Sequence, residues 1–233
     1  MKYVLIGCEV SGVVRRAFAS FAGLSVTSCD LKPAADGSPD HLQMDLLQVI
    51  NNHWDAAIFF PECTYLCVSG MHWTTRGLRD PQLTEDALAF VKTLMDATHI
   101  PMMALENPTG IISTRIRKAD QRIQPYEYGD DASKGTNLWL RNLPCLVPDP
   151  KDYVPPRMVC QCGIVYPYNQ ADKGCPECGP GFSKPRWSNQ TDSGQNKLGP
   201  SDTRAADRAK TYPGIALAMA EQWAPIILNS PSL

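Results

Sequence analysis

Two short segments carry the residue types that could do covalent chemistry. In "DAAIFFPECTYLC", residues 55–67, a strand-like apolar run leads directly into Pro61, Glu62 and Cys63, and in "MMALENP", residues 102–108, another such run ends at Glu106 and Asn107. A thiol just past a buried strand can have its pKa lowered by loop backbone, so Cys63 reads as a core thiol, a metal ligand or a nucleophile. Glu106 reads as a proton-sharing acid in a desolvated pocket or as a capping or salt-bridged carboxylate. A third group is of a different kind. Cys160, Cys162, Cys175 and Cys178 form C-x-C-x12-C-x2-C, with Gly163 and Gly179 following the pairs. Four thiolates on tight turns suit a closed tetrahedral site, which makes zinc a structural metal here; free thiols are the alternative. Cys8 and Cys29 sit in strand contexts where a small buried hydrophobe is the ordinary reading.

The elements that must position these residues alternate between two periods. Residues 3–6 read as a strand, "GCEVSG" as a glycine-bearing loop, "VVRRAFASF" as a helix and "LSVTSCDL" as a second strand ending near Asp30. "DAAIFF" and "MMAL" have the continuous apolar character of strands buried on both faces. Between them, Leu83, Ala87, Phe90, Val91 and Leu94 fall at helical spacing, with Asp80 as N-cap and Pro81 in the first turn. The predicted fold is α/β, an open and mostly parallel sheet with its site along the strand carboxyl ends. The expected division is a catalytic domain over 1–147, a small zinc-bearing insertion over 148–203 and a C-terminal helix within 204–233 that packs back through Ile215, Met219 and Trp223.

The 233 residues are 43% hydrophobic, enough for a sizeable core, and carry a formal net charge of −2, so there is no global basic field. The odd count of nine cysteines fits a reducing compartment, and no segment reads as a signal peptide or a membrane span, so the expected location is the cytoplasm. Nucleic acid would have to meet a local patch. One candidate is "STRIRKADQR", residues 113–122, with Arg115, Arg117 and Lys118; a salt-bridged helix face is the alternative. Another is the glycine-bearing loop after Cys63, with His72, Trp73, Arg76 and Arg79, whose alternative is a surface loop with its tryptophan tucked into the core.

Taken together, "LIGCEVSG", "SCDL", "QMDLL", "FFPECTYL", "ALENPTG" and "QPYEYGDDASKGTNLWLRNLP" occur in an order that resembles the cytosine-5 DNA methyltransferases, particularly the small phage and prophage forms. The resemblance implies a Rossmann-like methyltransferase sheet and S-adenosylmethionine held by the loop with Gly7, Glu9, Ser11 and Gly12, and by Pro61. It implies Asp30 on the ribose hydroxyls, Asp45 on the adenine amino group, Cys63 as nucleophile and Glu106 as the carboxyl at the cytosine ring. The substrate would be double-stranded DNA with a flipped cytosine, contacted by residues such as Lys134, in a bacterial host cell. The chain departs from the family at Glu62, where a second proline is usual, and in lacking the aromatic-x-Gly-x-Gly loop. Gln124, Lys134 and Thr136 stand where the family keeps a glutamine and arginine cluster. Rival readings are a methyltransferase for a free pyrimidine nucleotide or RNA, and an idle DNA-binding or inhibitory module on the same scaffold.

Overall fold

A computed structural model describes residues 1–198 and 211–231. The chain divides into two compact units, the first comprising residues 1–123, 135–147 and the C-terminal helix, the second, among the described residues, 124–134 and 148–198. Segment 124–134 therefore goes with the second unit, and the expected boundary at 203–204 lies outside the described residues.

The first unit is a seven-stranded sheet ordered β3-β2-β1-β4-β5-β7-β6. Its strands are β1 (Lys2–Gly7), β2 (Leu24–Asp30), β3 (His41–Gln43), β4 (Ala56–Phe59), β5 (Met102–Pro108), β6 (Gln121–Ile123) and β7 (Thr136–Arg141). Neighbouring strands from β3 to β5 are parallel, and β7 runs antiparallel to both β5 and β6. This is the expected open, mostly parallel Rossmann-like sheet. The chain starts in the middle, winds outward through β2 and β3, and returns to the other side of β1 as β4 and β5. The order thus reverses between β1 and β4, and in open α/β sheets ligands collect outside the carboxyl ends at such a switch point. Val4, Leu5 and Ile6 of β1 and the whole of β4 are inaccessible to solvent, which is why these stretches are continuously apolar rather than alternating.

Among the described residues the α-helices are α1 (Val13–Ala19), α2 (Val68–Thr75), α3 (Gln82–Asp96), α4 (Ile112–Arg115) and α5 (Pro213–Asn229). In α5, Ile215, Met219 and Trp223 are buried as their spacing requires, the helix packs on α1, and Trp223 Nε1 donates to Pro144 O at 3.0 Å. The N-cap of α3 is Pro81 and not Asp80, which lies one residue earlier, its Oδ1 accepting from Gln82 N at 2.9 Å. Of the stripe read in the sequence, Val91 and Leu94 are buried and Ala87 and Phe90 pack partly buried against the core, whereas Leu83 is exposed, and Thr84 and Leu88 complete the buried face of α3. Two further readings are corrected. The segment after Cys67 is helix α2, not a loop, and residues 113–122 are not one charged helix, since α4 ends at Arg115 and β6 begins at Gln121. At the opposite edge, Lys2 Nζ donates to buried Asp55 Oδ1 at 2.9 Å and to Pro231 O at 3.0 Å, joining both ends of the described chain to β1.

The second unit is built on a three-stranded antiparallel sheet, β10-β8-β9, from β8 (Arg157–Cys160), β9 (Val165–Pro167) and β10 (Ser183–Arg186). Among its described residues a small buried cluster comprises Met158, Cys160, Tyr166 and Cys175 with Ile164 and Ala171 against it. A separate aromatic group, Tyr126 stacked on Trp187 at 4.1 Å and edge-on to Tyr153 at 5.8 Å, ties segment 124–134 to this unit.

Candidate active site

Four strand ends meet at the switch point. Gly7 ends β1, where it pairs with Cys29 on one side and Phe59 on the other, and Phe60 N donates to Gly7 O at 2.9 Å. A Cβ at Gly7 would lie 2.7 Å from both Leu46 Cδ2 and Phe59 Cδ1, so this glycine is required by packing. Cys8 follows with φ of 60°, a region that non-glycine residues rarely enter and that is often found where a site fixes the backbone. Burial first, and then the charges of Asp30, Asp45 and Glu62 with the Cys29 thiol, push the Cys8 thiol far above its ordinary range. Those three carboxylates therefore gather around the end of β1. The Cys29 thiol is likewise pushed up to about 11 by burial and Asp30. Both environments favour the neutral thiol over the thiolate.

The loop after β1 is closed from within. Glu9 is buried, and its carboxylate accepts from Val14 N at 2.7 Å, Arg15 N at 3.2 Å and Ser11 Oγ at 3.2 Å, while Ser11 Oγ accepts from Val13 N at 3.3 Å. Burial raises the Glu9 carboxyl above its usual value, against the pull of those donors. Gly12 has φ of 67°, and a Cβ there would stand 2.5 Å from Asp36 Oδ2, which pairs with Arg15 and Arg16. Asp30 and Asp45 turn one carboxylate oxygen to their own loops, on Lys32 N and Leu47 N, each at 2.9 Å.

Past β4, Pro61 is buried, Glu62 is exposed and accepts from Thr64 Oγ1 at 2.7 Å, and Cys63 is half-buried at the start of a helical turn. Leu66 N and Cys67 N both donate to Cys63 O, at 3.0 and 2.9 Å. Cys67, the other thiol of this loop, is buried at the N-terminus of α2 with its sulfur 3.3 Å from Ser69 Oγ. Because β5 is the neighbour of β4, Glu106 and Asn107 lie next to this loop. Asn107 is 1% exposed and its Nδ2 donates to Pro61 O at 2.8 Å.

No protein-family model matches the chain, and no curated protein does. Among solved structures, the chain is similar to a prophage-encoded protein from E. coli described as a candidate DNA modification methyltransferase, with a TM-score of 0.41 and 15% identity over 60% of this chain. The match spans 46% of that protein, less than half its length.

The expected nucleic-acid contacts divide into engaged and exposed groups. Arg79 Nη1 donates to Thr64 O at 2.9 Å, and its guanidinium lies over the Tyr65 ring at 4.9 Å, so it braces the Cys63 loop. Arg115 pairs with Glu85 and Arg117 with Asp120, the salt-bridged arrangement that charge pattern alone left open. Trp73 is not tucked into the core: it is 50% exposed on α2, near exposed Arg76, Val68 and Leu78. Lys118 is exposed, and Lys134 belongs to the second unit.

In the second unit the sulfurs of Cys160, Cys162, Cys175 and Cys178 all lie within 4.8 Å of one another, with Cys162 and Cys175 3.6 Å apart. Four sulfurs at ~2.3 Å from a tetrahedral zinc stand ~3.8 Å apart, so this cluster could hold such an ion with small adjustment. The Cys160 thiol is lowered to about 6, chiefly by the Cys162 amide, while Cys178 is pushed up to about 12 by Cys162 and Cys160. Without a cation one thiolate raises its neighbours, which is the repulsion a divalent metal removes.

The sequence reading passed over Cys8 as a core thiol and gave Asn107 no role of its own. Only Asn107's place in "ENP" could have drawn notice, since a positive φ at a cysteine leaves no mark in sequence.

Proposed function

We propose that this protein methylates carbon 5 of cytosine in DNA, using S-adenosylmethionine. The observation that carries the reading is the meeting of the Pro61–Cys63 loop with Glu106 at the switch point, one thiol and one carboxyl held on adjacent strand ends by Asn107. S-adenosylmethionine, when bound, supplies an electrophilic sulfonium methyl. The residues fit such a group. In dinucleotide-binding sheets the first helix N-terminus receives a pyrophosphate. Here the amides of Val14 and Arg15 are taken by the Glu9 carboxylate, which leaves no place for phosphate. Asp30, Asp45 and Glu62 around Cys8 instead suit a cationic ligand with hydroxyl and amino groups to be recognised. Gly7, Gly12 and Pro61 would form the floor, and Glu9 and Ser11 would hold the loop's shape.

In this mechanism the Cys63 thiolate adds to carbon 6 of the cytosine while Glu106, carrying a proton, hydrogen-bonds ring nitrogen 3, so that carbon 5 gains enamine character. After methyl transfer, loss of the carbon-5 proton expels Cys63 and restores the ring. The base must leave the duplex for Cys63 to reach carbon 6. Trp73, Arg76 and Lys118 are exposed residues of the first unit suited to stacking and phosphate contact, and Lys134 of the second unit is a separate candidate for phosphate contact. The tetracysteine cluster holds structural zinc, which compensates for that unit's small apolar core.

Incubation with S-adenosylmethionine and unmethylated DNA, followed by digestion to nucleosides, is expected to yield 5-methyldeoxycytidine by mass spectrometry, and Cys63→Ala to abolish it. Absence of product from wild type that binds the cofactor would refute DNA as substrate. The internal engagement of Arg79, Arg115 and Arg117 favours free pyrimidine nucleotide as the second reading, and competition by that nucleotide distinguishes the two.

A further inference from the structure

Beyond the residues that would touch the base or the cofactor, the geometry points to a clamp, centred on Asn107, that fixes the Cys63 loop to the strand carrying Glu106; this inference rests on the roles proposed above for those two residues. Successive residues of a strand point to opposite faces, so Glu106 and Asn107 cannot serve the same side of β5. Glu106 is partly exposed, whereas Asn107 is buried and spends its amide on Pro61 O, two residues before Cys63. Below it the two segments are joined again by backbone. Val68 N donates to Thr109 O at 3.1 Å, Ile111 N donates to Leu66 O at 2.9 Å, and Cys67 bridges Gly110. The approach is so close that a Cβ on Gly110 would lie 1.9 Å from Leu66 O. The segment is tight within itself as well, a Cβ on Gly70 falling 1.9 Å from Thr64 O.

Bonds before and after Cys63 thus fasten its loop to residues 107–111, one strand residue from Glu106. A thiol and a carboxyl that must act on one ring at the same moment need this, because displacement by about 1 Å can cost on the order of 100-fold in rate. Asn107 is accordingly a positioning residue, and the buried side-chain amide is the part of the clamp that substitution can remove without touching the backbone bonds.

The test compares wild type with Asn107→Asp, which keeps the shape and loses the donor, and with Asn107→Ser. Single-turnover adduct formation on 5-fluorocytosine DNA, kcat, KM and cofactor affinity are measured together with amide hydrogen exchange at Val68 and Ile111. The expected result is adduct formation and kcat lowered about 100-fold, KM and cofactor affinity within about threefold of wild type, and faster exchange at the two amides. Active wild type with either variant folded and unimpaired in kcat overturns the clamp. So does rapid exchange of Val68 and Ile111 in wild type, a measurement that stands even if both variants fail to fold. An inactive wild type in which both amides are protected would support the clamp and overturn the reaction assigned to it.

Discussion

At the scale of single residues, the chemistry of the site depends on which thiols are available. Cys8 and Cys29 are held neutral by burial and nearby carboxylates, and Cys67 is buried at the head of α2, which leaves half-buried Cys63 in the switch-point loop. Cys63→Ala should therefore eliminate the adduct with 5-fluorocytosine DNA, while Cys67→Ala retains it; an adduct that survives in the first variant and disappears in the second would transfer the role to Cys67. A different residue-scale expectation concerns Asp55. Burial pushes its carboxyl up, but the Lys2 ammonium and the Tyr3 amide outweigh this and hold it below the usual carboxylate range. Its contribution to stability is present above the unfolded value near 3.9 and is lost as pH falls through the depressed folded value. Asp55→Ala strands the buried Lys2 charge, and denaturant unfolding at pH 7 should show a loss of about 3–5 kcal/mol, shrinking in acid.

At the scale of elements, α3 separates what spacing indicates from what packing selects. Leu83 and Leu88 are equally apolar in sequence, yet Leu83 is 39% exposed and Leu88 only 6%. Leu88→Ala should cost about 2–5 kcal/mol in urea unfolding and Leu83→Ala under about 0.5 kcal/mol. Equal losses would mean that the helix is rotated from the position described. Helix α2 teaches the same point from the other side. Its apolar residues do not form one stripe, so periodicity gave no helix, and the element is set by its attachments: Val68 to Thr109, and Arg79 across the carbonyls of Thr64 and Gly70.

At the scale of the whole molecule, the two units differ in what holds them together. The first has a continuous core under a seven-stranded sheet, whereas among the described residues the second has a small cluster around Met158, Cys160, Tyr166 and Cys175 and brings four sulfurs together. Protein purified without chelator should contain one zinc per chain by elemental analysis. Removing it should change the near-ultraviolet signal of Trp187, which stacks on Tyr126 in the same unit, and expose the cluster's thiols to titration. A metal-free protein with an unaltered Trp187 signal would argue for free thiols.

Much of this was legible before any coordinates. The sheet class, the existence of strands at 3–6, up to Asp30, within 55–60 and leading to Glu106, the burial of Ile215, Met219 and Trp223, and the spacing of the four cysteines follow from local composition and period, because a strand buried on both faces or a tight turn of thiolates needs particular residues in sequence. What the sequence alone left undetermined involves partners distant in the chain. It did not say which stripe of α3 meets the sheet, that Arg115 and Arg117 are paired, that Glu9 closes the first helix, or that Asn107 reaches Pro61 across 46 residues. A hydrogen bond between neighbouring strands is fixed by strand order, and strand order depends on the whole sheet; only the tertiary structure decided it.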